Sequence, residues 1–136
     1  MTNAQTIFTF DVTELPTEPA ASASVPQRLE SKRTLMEAVA ERLRFPDYFG
    51  ENWDAFEECM RDLSWMPPGP IVLVHSDVPL QNDLVSAKTY LSILSGAVGK
   101  MLKSPDRKLI VAFPGECRQQ IEWLLRSQRA QEARHQ

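Results

Sequence analysis

Between the breaker Pro67-Pro68-Gly69-Pro70 and the polar residues that begin at His75, the sequence reads Ile71-Val72-Leu73-Val74. A short, wholly apolar run of this kind is the pattern of a strand covered on both faces. A counterpart lies downstream, Lys108-Leu109-Ile110-Val111-Ala112-Phe113, closed by Pro114-Gly115. Between the two, Asp83 is placed to cap a long helix with Leu84, Ala87, Leu91, Leu94, Val98 and Met101 along one side. Gly96 and Gly99 weaken that helix near its end. Strands separated by helices imply a parallel sheet with helical crossovers.

Upstream, the β-branched and aromatic segment Ile7-Phe8-Thr9-Phe10-Asp11-Val12 reads as a first strand. Residues 13–27 hold Pro16, Pro19 and Pro26 among Ala, Ser and Thr, and read as a long exposed loop. From Ser31 the pattern turns helical, with Leu35, Met36, Val39, Ala40 and Leu43 on one face. Ser31 and the Thr34/Glu37 capping-box spacing compete as its start, and Pro46 ends it. After the connection 47–51, Asn52 caps a second helix whose core stripe is Trp53, Phe56, Met60 and Leu63. Asp54, Glu58 and Asp62 fall four apart on another side of it. A last helix spans 116–131, with Cys117, Ile121, Leu124 and Leu125 inward and Glu122 with Arg126 as an outward pair. A tail, 132–136, follows. The expected fold is therefore α/β, a small three-stranded parallel sheet packed with helices, in a single domain spanning 1–136.

Composition narrows the function more than it defines it. A chain of 136 residues fits one domain and buries roughly two-thirds of its unfolded surface, enough for a core. Its 43% hydrophobic and 24% charged residues exclude wholesale disorder. The net charge of −3 argues against nucleic acid or a membrane surface as the partner. No apolar run approaches the ~20 residues needed to span a bilayer. The first basic residue is Arg28, with no signal-like apolar stretch after it, and Cys59 and Cys117 read as reduced thiols. A cytoplasmic protein is expected. The histidines, His75 and His135, have no ligand-spaced neighbours, so neither metal nor cofactor is expected.

The small net charge conceals an asymmetry. Residues 47–62 hold Asp47, Glu51, Asp54, Glu57, Glu58 and Asp62 against Arg61 alone, a local charge of −5. Residues 100–136 hold eight bases and four acids, a local charge of +4. The basic half carries neither a phosphate loop nor an aromatic series and reads as a solvated face. The acidic block adjoins Tyr48, Phe49, Asn52 and Trp53. Loop aromatics beside a field of one sign are the ingredients of a protein-binding hot spot suited to a cationic groove.

The run Phe45-Pro46-Asp47-Tyr48-Phe49-Gly50-Glu51-Asn52-Trp53-Asp54-Ala55-Phe56-Glu57-Glu58-Cys59-Met60 resembles the signature of the barstar family, intracellular inhibitors of barnase-type ribonucleases. The resemblance is weaker over the rest of residues 7–113, and leaves the loop 13–27 and the C-terminal helix as additions. It offers no clear counterpart of a further short family helix unless Val78 to Asn82 forms one turn. It implies a barstar-like fold, with the connection and second helix plugging a ribonuclease active site. On this basis Tyr48 stacks on the enzyme, Gly50 and Asn52 shape the interface, and Asp54 and Glu58 meet basic groups through charge-assisted hydrogen bonds. Phe49, Trp53 and Glu57 complete the surface. Glu58 stands where the family has its main aspartate, Phe49 replaces a tyrosine, Trp53 a leucine and Glu57 a tryptophan. Near Lys100 the third helix shows lysine where the family has a glutamate facing its enzyme. Together these changes imply a basic nuclease other than barnase.

Two other classes compete. His75 with Asp77 ends a central strand, where α/β enzymes often place chemistry, yet no serine or cysteine is placed beside them by the sequence. Asp54 and Glu58 share one side of a helix, whereas paired-carboxylate hydrolysis flanks its bond. The expected protein is thus not an enzyme. It is an immunity-type inhibitor, monomeric when free, whose partner is a basic ribonuclease or nuclease-toxin domain. The alternative is a barstar-like interaction module with a non-nuclease partner.

Overall fold

The computed structural model describes residues 7–46 and 52–126. Three parallel strands form one sheet, β1 Ala21–Val25, β2 Gly69–His75 and β3 Arg107–Ala112, in the order β1-β2-β3. Helices α1 Lys32–Arg42 and α2 Trp53–Asp62 lie between β1 and β2 in the chain. α3 Leu84–Met101 connects β2 to β3, and α4 Arg118–Arg126 follows the sheet. The small α/β fold with a three-stranded parallel sheet is as the sequence implies.

The first strand is not where the sequence places it. Ile7–Val12 is not a strand of the sheet. Thr9 alone forms an isolated parallel bridge to Ala112, its N–H bonded to the Val111 carbonyl at 2.8 Å. The true β1 lies inside the segment read as a loop, between Pro19 and Pro26. Its register sets Ala23 opposite Leu73 and Val25 opposite His75. Ala23 and Val25 point into the core while Ser22 and Ser24 are exposed. An edge strand with one wet face alternates small polar with small apolar residues. Strand propensity therefore favours the aromatic segment, and burial decides for Ala-Ser-Ala-Ser-Val.

Local chemistry sets the helix ends. Ser31 is the cap of α1, its Oγ accepting from the Thr34 N–H at 3.0 Å, and Thr34 lies within the first turn. At the other end Arg44 adopts φ 57°, and the Phe45 N–H reaches back to the Ala40 carbonyl at 2.9 Å. This closes α1 in a Schellman motif. Gly96 and Gly99 sit within α3 without ending it. Val78–Asn82 forms no helix, only a single turn at its end, closed by the Asp83 N–H on the Leu80 carbonyl at 3.0 Å. Val78, Pro79 and Leu80 are buried there, and the Leu80 N–H bonds the Leu29 carbonyl.

The core joins Leu35, Met36 and Val39 of α1, Phe56 and Met60 of α2, Tyr90, Leu91 and Leu94 of α3, and Leu73, Leu109 and Val111 of the sheet. The C-terminal addition is tied to this body in a specific way. Ile121 and Leu124 are buried. Buried Lys88 of α3 donates from Nζ to the Leu124 and Leu125 carbonyls at 2.9 and 3.2 Å. A cation at the carbonyl end of α4 is favoured by the helix dipole, and burial pushes the lysine below its ordinary range. Glu122 pairs with Arg118 at 3.2 Å, one turn earlier than the expected Arg126. The expected stretch 127–131 of this helix and the tail lie outside the described residues.

Replacing Lys88 by methionine keeps the apolar stem but leaves these carbonyls without their donor. The expected cost is about 1–3 kcal/mol, read by denaturant unfolding, with faster amide exchange concentrated in α4.

Candidate partner-binding surface

Helix α2 is amphipathic. Phe56, Cys59 and Met60 are buried, Leu63 closes the helix in the left-handed conformation at φ 49°, and the carboxylates lie on the outer side. Asn52 caps it, its Oδ1 accepting from the Ala55 N–H at 2.8 Å. Five of the expected site residues, Asn52, Trp53, Asp54, Glu57 and Glu58, therefore come together on one helix. Tyr48, Phe49 and Gly50, with Glu51, lie outside the described residues.

These side chains differ in how firmly the protein holds them. Trp53 is half-buried, edge-on to Phe56 with ring centroids 5.9 Å apart, and the Lys32 ammonium stands 5.9 Å from its ring. Glu57 forms an ion pair with Arg61, Oε2 to Nη1 at 3.7 Å. Asp54, Glu58 and Asp62 are exposed, and among the described residues none has an ion-pair partner. Behind them, burial pushes the Cys59 thiol up, with Asp62 and Glu58 adding to the shift. That keeps the sulfur protonated and unreactive.

The sequence reading missed the contribution of α3. Thr89, Ser92 and Ile93 face Trp53, Asp54 and Glu57 across a shallow groove of about 240 Å³. Thr89 and Ser92 are half-buried positions of α3, and nothing in their spacing marks them. Two bases of the basic half do more than face solvent. The Lys108 Nζ donates to the carbonyls of Met101, Leu102 and Ser104, closing α3. Arg107 donates to the Ser64 and Met66 carbonyls beyond α2. Among the described residues no group of three or more His, Cys, Asp or Glu could hold a metal. No described helix is long and apolar enough to cross a membrane.

The profile of one family, Barstar (barnase inhibitor), matches residues 26–113. The chain belongs to this family, whose members are inhibitors rather than enzymes. The matched span contains all of α2 and the five site residues described above. No curated protein and no solved structure matches the chain.

His75, the residue that most suggests chemistry, has both ring nitrogens engaged inside the protein. Nδ1 lies 3.1 Å from the Ala112 carbonyl, which can only accept, so Nδ1 carries the proton. Nε2 then accepts from the Tyr90 hydroxyl at 2.7 Å, and the ring stacks on Phe113 at 4.0 Å. Burial, partly opposed by the Ala112 bond, holds the imidazole down at about 3 and pushes the Tyr90 phenol up. Asp77 turns away to accept the Arg28 N–H at 2.9 Å.

This arrangement has a pH signature. Between the ordinary histidine value of 6.5 and the folded value of about 3, only the unfolded chain takes up the proton. The stabilisation is complete above pH 6.5 and declines with acid by about 1.4 kcal/mol per pH unit across that window. In His75→Gln, whose amide retains a donor and an acceptor, the protein should be less stable at pH 7. Its unfolding free energy should also fall less steeply between pH 6 and 4. An unchanged slope would remove His75 as the source.

Proposed function

We propose that this protein binds a basic ribonuclease and blocks its active site with the outer side of α2 and the adjoining connection. Asp54 and Glu58 are the anionic anchors, occupying positions where the enzyme holds substrate phosphates. Asn52 fixes the start of the helix, Trp53 and Glu57 flank the anchors, Tyr48 and Phe49 of the connection supply the aromatic contact, and Gly50 shapes the connection. The protein acts without catalysing a reaction, as an immunity-type inhibitor in the cytoplasm, monomeric until it meets its partner. Two free thiols, one of them buried, accord with a reducing compartment.

The observation that carries this reading is the state of the two anchors. Within the matched span, Asp54 and Glu58 project one helical turn apart from an exposed surface, without an ion-pair partner among the described residues. Carboxylates left uncompensated are available for charge-assisted bonds to arginine and lysine. Their field also steers a cationic partner before contact.

The test is inhibition of RNA cleavage across a panel of basic ribonucleases, barnase included, followed by affinity measurement on any that respond. Glu58→Ala should weaken binding by about 2–5 kcal/mol, as expected when one partner of a buried charge pair is removed. Glu30→Ala, on an exposed residue before α1, should bind as the parent does. Association should slow steeply between low and physiological salt. Equal affinity of the two variants would refute the interface. Capture of a non-nuclease protein through the same residues would favour the interaction module.

A further inference from the structure

Arg61 is the one base among the charged residues of α2, which otherwise carries Asp54, Glu57, Glu58 and Asp62. Its guanidinium reaches both Glu57 and α3. Nη1 pairs with Glu57 Oε2 at 3.7 Å, and the head lies over Gly96 of α3, where a Cβ would meet Nη1 at 3.6 Å. The side chain thus bridges the α2–α3 seam while remaining about two-fifths exposed, at 43%. An exposed pair one turn apart adds little to stability, so its main physical effect is on the surface charge. With Glu57 compensated, the free negative charge contracts to the column Asp54, Glu58 and Asp62. A cation stands on the flank of that column.

We infer that Arg61 is a specificity-determining residue. It disfavours a ribonuclease that presents cations across the whole width of α2, and favours one with a carboxylate or carbonyl acceptor opposite the α2–α3 seam. The inference rests on the reading of α2 as the inhibitory surface. Its physics is that of discrimination by repulsion. A guanidinium brought against arginine or lysine in a drying interface is penalised, whereas the same group against an acceptor gains a charge-assisted bond. Arginine suits the role better than lysine because its planar fork can keep Glu57 on one edge and present donors on the other.

Barnase, the enzyme in the family's description, serves as the probe, titrated with the full-length protein, Arg61→Ala and Arg61→Glu. Removing the cation should tighten binding to barnase by about tenfold or more, and reversing it should tighten binding further. The gain should appear in the association rate and shrink at high salt. Melting temperatures near the parent's would confirm that both variants fold. Binding to barnase that stays unchanged or weakens in both variants overturns the inference, whatever the ribonuclease panel shows for the parent. Failure of the parent across that panel counts against the inhibitory reading instead, so the two can fail separately.

Discussion

The hydrogen bond between His75 and Tyr90 is the constraint around which the rest of the structure is arranged. His75 ends the central strand, and its two nitrogens join the Ala112 carbonyl of β3 to the Tyr90 hydroxyl of α3. Two strands and the crossover helix between them are thereby locked at one end of the sheet. A polar pair at this depth is tolerable only because each polar atom has a partner. From it a series of ring contacts extends both ways. Phe113 and Phe8 lie on one side, and Tyr90 leads through Phe56 to Trp53 on the other. The indole at the base of the candidate surface is thus seated on the same packed body that holds the sheet together. An interface residue held in this way loses little freedom on binding.

Charge in this molecule is divided by task. Lys88, Arg107 and Lys108 spend their donors on backbone carbonyls at the ends of α4, the loop after α2, and α3. Arg33 with Glu37 and Arg118 with Glu122 are exposed pairs one turn apart, which contribute little each. The carboxylates of α2 are treated differently. Only Glu57 receives an internal partner, while Asp54, Glu58 and Asp62 face solvent. Three bases are thus engaged in holding the fold, while three of the four carboxylates of α2 are left available.

What the sequence disclosed follows from which forces act locally. β2 and β3 were legible because burial on both faces writes a continuous apolar run. α1 to α3 were legible from their periodic apolar stripes and from Ser31, Asn52 and Asp83 at their starts. β1 was not, because Ala21–Val25 is a strand by virtue of its place beside Ile71–His75, and small alternating residues carry little signal alone. Ile7–Phe10 misled for the opposite reason, since its aromatic residues pack at the edge of β3 without joining the ladder beyond Thr9. For the surface, residues adjacent in sequence on α2 were readable. The opposing Thr89, Ser92 and Gly96 of α3 were not, because their relation to α2 exists only once the helices pack.

The arrangement of acids on α2 is hard to explain as a device for stability. Asp54, in the first turn, is favoured by the helix dipole, but Asp62, in the last, is disfavoured by it. Asp54 with Glu58, and Glu58 with Asp62, are like charges four apart, each pair destabilising by about 0.2–0.5 kcal/mol. The two dipole effects oppose each other, and the two like-charge pairs together oppose the helix by about 0.4–1 kcal/mol, offset only in part by Arg61 in the last turn and its pair with Glu57. A helix selected only to pack Phe56, Cys59 and Met60 onto the core has no need of four acids against one base on its outer side. The column is a local strain on the free protein that a cationic partner would relieve. The same partner would gain more from it than from a neutralised helix, because less of the field is already spent inside the molecule.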